Sequence, residues 1–280
     1  MNGRRVFYAL RYLALVTVLS IYFGLGPFGY AGFFILSLFP AKDRDRRARF
    51  LQGVMRRAFR LYHGTVRALR LIHYDPDTLR GSLPKEPSII VANHPTLTDV
   101  TALIAAIPNL TTVVKAPLYR TRWARPLLHD AAHFEGDDGR LSSLAAMLEA
   151  AEDRLARGYH VLIFPEGTRS PKDGLHRFGR AAFELAARTG APITPLVIRC
   201  EPRWLIREAP LLKLPARTPA LTIRALEPVN PQGIPSRKLR DMVQALIYSE
   251  LFDEKPSSAS ASPSEGYARI NRISPEEAHR

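Results

Sequence analysis

From about residue 87 onward the hydrophobic pattern of the chain alternates between two kinds of segment. Short continuous apolar runs bounded by Pro, Gly, Asn or Asp predict strands at 88–92, 110–114, 160–164, 193–199 and 220–226. Between and after them, apolar positions three and four apart predict helices over 99–107, 117–129, 140–157, 179–189 and 236–252. Alternation of this kind predicts an α/β fold: a layered, largely parallel sheet flanked by helices, over residues 86–252.

The N-terminal part follows other patterns. Tyr12 to Phe39 is uncharged and mostly apolar, with Gly24, Gly26, Pro27, Gly29 and Gly32 in its middle. As one helix this run would reach roughly 42 Å at about 1.5 Å per residue, enough for one tilted span and short of two. Its Gly/Pro centre predicts a membrane-anchoring helical segment over 1–40, either a kinked span or a re-entrant hairpin with both ends on the cytoplasmic side. A cleaved signal peptide fits poorly, because the apolar run continues and no Ala-x-Ala site appears. The Gly-x-Gly-x-x-Gly pattern at 24–29 has a proline in its loop and no preceding strand, so it is no dinucleotide site. Residues 41–85 form a basic amphipathic segment. Phe50, Leu51, Val54, Met55, Ala58, Leu61, Tyr62, Val66 and Leu69 keep helical spacing among arginines, a pattern suited to anionic lipid. The Pro/Ser/Ala-rich tail, 253–280, is expected to be disordered.

Charge sharpens this picture. The net charge is +14 over 280 residues, and the first 85 hold 15 Lys/Arg against 4 Asp/Glu. Such a balance calls for an anionic partner. An apolar N-terminus makes that partner anionic membrane lipid and not nucleic acid, and the arginines place the α/β domain on the cytoplasmic face, in a bacterium at the inner membrane. A single cysteine, Cys200, allows no internal disulfide and fits a reducing compartment.

The chemistry gathers where strands end. Ile89 to Ala92 runs into Asn93-His94-Pro95, and Asp99 follows five residues after the histidine. Pro95 keeps His94 out of helical geometry, and Thr96 or Thr98 can cap the helix that begins beside Asp99. The turn can return the Asp99 carboxylate to one nitrogen of His94 and leave the other free to take a proton. That is a base and its orienting acid without an enzymic nucleophile, so the substrate's hydroxyl must attack. A second apolar run, 161–164, breaks into Pro165-Glu166-Gly167-Thr168-Arg169-Ser170, and Arg169 presents a planar fork suited to phosphate or carboxylate. His129 and His133 stand four apart, a zinc-like spacing, but no third ligand is evident and no metal site is predicted.

His-x4-Asp followed by Phe-Pro-Glu-Gly-Thr-Arg-Ser resembles the glycerolipid (lysophospholipid) acyltransferase family, over about residues 88–200. The resemblance implies a 1-acylglycerol-3-phosphate acyltransferase-like O-acyltransferase that moves a fatty acyl group from acyl-CoA or an acyl carrier protein thioester to a lipid hydroxyl in phospholipid synthesis, with no other cofactor. It implies His94 and Asp99 as the catalytic pair, and Glu166, Gly167, Thr168 and Arg169 as the block that holds the acceptor. Ala191-Pro192-Ile193-Thr194-Pro195 resembles the family's proline-bearing block. One departure stands out. Where the family carries a phosphate-binding arginine, this chain reads Phe134-Glu135-Gly136-Asp137-Asp138, with Arg140 displaced and Lys115 as a substitute. Carboxylates there would repel a phosphate, so lysophosphatidic acid is expected to be a poorer acceptor than a neutral or differently charged lipid alcohol, although the resemblance itself puts it first. The alternatives are an acyltransferase for a non-phosphorylated lipid or polyketide/aryl-polyene hydroxyl and, of another class, a non-catalytic basic scaffold on membrane or nucleic acid. Intact His94 and Asp99 argue against the scaffold.

Overall fold

The computed structural model describes residues 3–38, 43–122, 124–206 and 212–253; the tail expected to be disordered lies outside them, apart from Asp253. Helices α1 (Gly3–Leu38) and α2 (Arg44–Ala68) lead into β1 (Ile89–Ala92), α3 (Asp99–Ala106), β2 (Leu110–Val114), α4 (Ala116–Tyr119), α5 (Arg125–Asp130) and β3 (Phe134–Glu135). Then come α6 (Leu141–Ala156), β4 (His160–Ile163), α7 (Ala181–Thr189), β5 (Ile193–Glu201), β6 (Ala220–Ala225) and α8 (Ser236–Phe252).

The sheet runs β3-β2-β4-β1-β5-β6, parallel throughout except that β6 pairs antiparallel with β5. β1 is central, with all four residues buried, because helices cover both faces. Successive side chains divide the core. Ile90 and Ala92 join Leu103 of α3 and Leu15 of α1 in one cluster, while Ile89 and Val91 join Met147 of α6, Phe183 of α7 and Val243 of α8 in the other. The predicted α/β class and its five strands are observed. The two-residue β3 is additional and too short to show a period.

Three expectations change. The helix predicted over 117–129 is two short ones, α4 and α5. Pro126 lacks an N–H and clashes with a preceding turn, so it sits in the first turn of a new helix. α1 is a single helix and not a hairpin. Among the described residues no helix is long and apolar enough to cross a membrane. The early part of α1 is bound to the body: Arg11 is buried and donates to the carbonyls of Arg70 (2.9 Å) and Pro215 (3.0 Å), and Leu15 lies in the core. α2 is helical as expected, capped by Asp43, whose side chain accepts from Asp45 and Arg46. However, it buries Leu51, His63 and Val66 against the protein, and several of its arginines are engaged there. Arg47 pairs with Asp130 (2.6 Å), Arg60 with Asp77 (2.9 Å), and Arg56 donates to the carbonyl of Ala105 (3.2 Å).

Two histidines record the core's low dielectric. His63, its Nε2 3.1 Å from the Thr101 hydroxyl, and His133, whose Nδ1 accepts the Thr112 N–H, are both held down to about 4 by burial. The unfolded chain therefore binds more protons than the folded one between pH 6.5 and 4. Stability should fall through that window by up to about 1.4 kcal/mol per pH unit for each histidine, and level off below it. Urea unfolding between pH 6.5 and 4.5 should show a shallower slope for His63→Gln than for the wild type; equal slopes would refute the assignment.

Candidate active site

β1 and β4 are parallel neighbours in register, Val91 opposite Ile163, so their carboxyl ends deliver His94 and Phe164 to one rim. Beyond β1 the ladder is continued by a side chain. The buried Asn93 amide donates to the Ile198 carbonyl (2.8 Å) and accepts the Ile198 N–H (2.7 Å), fixing the residue before the histidine against β5. Nδ1 of His94 lies 2.8 Å from Oδ2 of Asp99, which is fully buried at the first position of α3. The same carboxylate accepts the N–H of Thr96 (2.8 Å) and its hydroxyl (2.5 Å). An ionised carboxylate only accepts, so the imidazole proton belongs on Nδ1 and the Nε2 lone pair is left available. The ring stacks on Phe164 at 4.3 Å between centroids, 24° from parallel. Thr98 takes the cap position of α3, but its side chain makes no capping bond; the Thr96 hydroxyl accepts the Thr98 N–H instead.

The second block is joined to the first by hydrogen bonds. Glu166 is buried, and both its oxygens have protein donors. Oε1 accepts the His94 N–H (3.2 Å) and the Ser170 hydroxyl (2.5 Å), and Oε2 accepts the His176 N–H (2.8 Å). Ser170 also accepts the His94 N–H (3.0 Å) and returns its own N–H to the His94 carbonyl (2.8 Å). Gly167 is exposed at φ +64°, a backbone that only glycine adopts without strain. Thr168 and Arg169 are half-buried beside it, and Arg169 donates one nitrogen to the Leu205 carbonyl (2.9 Å). That carbonyl also accepts the Leu97 N–H (3.1 Å), so the 202–205 loop bridges both motifs. Sequence reasoning missed Asn93, Ser170 and this loop. The polar types at strand ends were visible, but their partners lie tens of residues away.

Lys115 follows β2 directly and is exposed at the same rim, β2 being the other neighbour of β4. The acidic stretch has a different setting from the one expected. Arg120 forms an ion pair with Glu135 and donates to Asp138 at 3.0 Å, while Asp137 accepts from Ser143 and Gly139. Three carboxylates predicted to repel a phosphate are thus matched by donors from α4's end and α6's start. Arg140 precedes α6 and is exposed. His129 is exposed and His133 buried on a backbone N–H, and among the described residues no group of three or more His, Cys, Asp or Glu could hold a metal ion. Burial pushes the Cys200 thiol up to about 11, which removes it as a nucleophile. Beside the motif lies an apolar slot of about 120 Å³, between Leu15 and Leu19 of α1, Phe59 and Tyr62 of α2, Leu97 and Trp204. Trp204 is 6% exposed, and its indole nitrogen has no hydrogen-bond partner among the described residues.

The fold and rim together define an α/β protein with a carboxylate-oriented histidine at the switch between β1 and its neighbours. Residues 70–199, which contain both motifs, match the family model described as Acyltransferase. The chain is 28% identical over 179 residues to the 1-acyl-sn-glycerol-3-phosphate acyltransferase of Pseudomonas aeruginosa, covering 63% of this chain and 66% of that one. It is 24% identical over 175 residues to the mouse 1-acyl-sn-glycerol-3-phosphate acyltransferase alpha, covering 60% and 59%. The match thus spans about three fifths to two thirds of these relatives' length. The crystal structure of the 1-acyl-sn-glycerophosphate (LPA) acyltransferase PlsC from Thermotoga maritima shares the fold, with a TM-score of 0.65 at 18% identity, over 92% of this chain and all of that one.

The Asn93 clamp gives a test of how the rim is held. Asn93→Ala leaves the Ile198 N–H and carbonyl unpaired inside the sheet, and should cost about 2–4 kcal/mol of stability. Denaturant unfolding that places the variant within about 0.5 kcal/mol of wild type would show that water replaces the amide.

Proposed function

We propose that the chain is an O-acyltransferase that moves a fatty acyl group from acyl-CoA or an acyl carrier protein thioester to the free hydroxyl of 1-acylglycerol-3-phosphate, in phospholipid synthesis. The observation that carries this reading is the 2.8 Å contact of His94 Nδ1 with buried Asp99, which leaves Nε2 as a base at the rim. In this mechanism Nε2 takes the hydroxyl proton as the acceptor oxygen attacks the thioester carbon. Asp99 holds the imidazolium, the tetrahedral centre collapses, and the thiolate leaves with the proton returned from His94. Glu166 and Ser170 act as positioning residues by fixing the His94 backbone. Arg169 and Lys115 supply the two cations that a phosphate monoester calls for, and Gly167 and Thr168 bring the loop's backbone close to it. The apolar slot receives acyl chain. Phosphate binding is favoured over a neutral acceptor because Arg120 occupies Glu135 and Asp138.

His94→Ala should lower kcat by about 100- to 10,000-fold and Asp99→Asn by a comparable factor, with both variants still folded at the assay temperature. An acyl-transfer assay in which His94→Ala kept more than about a tenth of the rate would sink general-base catalysis. Lys115→Ala and Arg169→Ala should raise KM for lysophosphatidic acid and leave that for monoacylglycerol nearly unchanged.

Membrane association follows from α1. Leu10 and Leu13 are 60% and 63% exposed beside the docked Arg11 and Leu15, an unpartnered apolar strip suited to lying in a leaflet. The double variant Leu10→Glu/Leu13→Glu should bind phosphatidylglycerol vesicles at least tenfold more weakly in a flotation assay. Binding equal to wild type would exclude α1 as the attachment.

A further inference from the structure

At the end of the sheet opposite the catalytic rim lies a cavity of about 760 Å³. Its wall includes Asn109, just before β2, and His160, the first residue of β4, together with the 76–85 segment and one face of α2. It also reaches Ala106, the last residue of α3, whose first residue is Asp99, so about 12 Å of helix separates the cavity from the catalytic pair.

Five cations line this cavity, Arg56, Arg57, Arg60, Arg80 and Lys85, against one carboxylate, Asp77. Their existing partners account for two of them. Arg60 takes both oxygens of Asp77, at 3.1 and 2.9 Å, and Arg56 donates to the carbonyls that end α3, Ala105 (3.2 Å) and Ala106 (3.4 Å). The side chains of Arg57, Arg80 and Lys85 have no hydrogen-bond or ion-pair partner among the described residues. The crowding is felt inside the cluster: burial, and then repulsion from Arg60, Arg80 and Arg57, pull the Arg56 pKa down. His160 adds an uncharged donor. Its Nδ1 accepts the Ser88 N–H (3.2 Å), so the ring proton sits on Nε2.

Apart from Asn109, the accessible remainder of the wall is apolar, with half-buried Pro76, Leu83 and Pro84 and exposed Pro108 forming a surface for something other than phosphate. The volume falls in the range of small-molecule sites, about 300–1,000 Å³, and would be mostly empty around a single phosphate. From the surplus of unpaired cations against one carboxylate, in a cavity with an apolar wall, we infer that this is a second, non-catalytic binding site for a small molecule bearing two or more phosphate groups on an organic body. Nucleoside diphosphates and multiply phosphorylated lipid headgroups share that chemistry. The site is independent of the acyl-transfer reading, since none of its cations lies at the catalytic rim.

The test uses the full chain in detergent at 150 mM salt, where attraction by overall charge is largely screened. One arm titrates ADP and inorganic pyrophosphate calorimetrically. The other measures binding to phosphatidylcholine vesicles containing phosphatidylinositol 4,5-bisphosphate, or phosphatidylglycerol at equal charge. Arg57→Gln/Arg80→Gln changes two exposed, unpartnered side chains, so its unfolding midpoint and acyl-transfer rate should match wild type. The expected result is saturable ADP binding, tighter than pyrophosphate, weakened at least tenfold in the double variant and retained in Arg169→Gln. The same variant dependence seen only with the bisphosphate vesicles supports the site and makes the lipid headgroup its source. Binding that the double variant leaves unchanged in both arms, binding lost instead in Arg169→Gln, or no binding at all overturns the proposal.

Discussion

The parallel pairing of β1 with β4 is the constraint on which the site depends. Each strand leaves the sheet at the same edge, so two motifs about seventy residues apart emerge side by side. The pairing needs both strands apolar on both faces, because helices cover them above and below. A slip of one residue would exchange Ile90 and Ala92 for Ile89 and Val91 between the two cores, and would withdraw His94 from Phe164. The placement of His94 and Phe164 is therefore held by hydrophobic burial in the sheet more than by the polar contacts at its rim.

Those polar contacts set the finer placement. Asn93 ties the end of β1 to β5, Glu166 and Ser170 tie the His94 backbone to the loop after β4, and Asp99 fixes the ring. All three motif acceptors, Asn93, Glu166 and Asp99, are buried with their polar atoms engaged. Buried polar groups that are fully paired hold one arrangement strongly, because every alternative leaves a donor or acceptor unsatisfied in a low-dielectric setting. The histidine side chain, by contrast, keeps 18% of its surface exposed.

Charge plays a different part here from the one its total implies. Several arginines that look like a membrane-facing stripe in the sequence, Arg47, Arg56 and Arg60 among them, form internal ties, as do arginines farther along the chain. Arg47 and Arg157 hold α2 to the body through Asp130 and Asp45, and Arg120 occupies the acidic loop after β3. Pairing an arginine with a carboxylate at partly buried positions removes the apparent repulsion of a neighbouring anion. Other cations keep no ion-pair partner among the described residues, among them Lys115 at the rim and Arg57, Arg80 and Lys85 at the opposite end of the sheet.

The sequence by itself determined the features whose causes are local. Continuous apolar runs placed five of the six strands, helical spacing placed α3, α6, α7 and α8 to within about two residues, and Pro95 with a five-residue separation was enough to pair His94 with Asp99. The tertiary structure alone decided which polar groups meet across the fold. Glu166 reads in sequence as a group offered to a ligand, but the strand pairing brings the His94 backbone onto it. The carboxylates of 135–138 read as bare until α4 carries Arg120 to them. α1 reads as an independent anchor until Arg11 finds the carbonyls of Arg70 and Pro215. A side chain's type fixes what it can bond to, but its partner depends on where distant parts of the chain arrive, and that is set by the packing of the whole core.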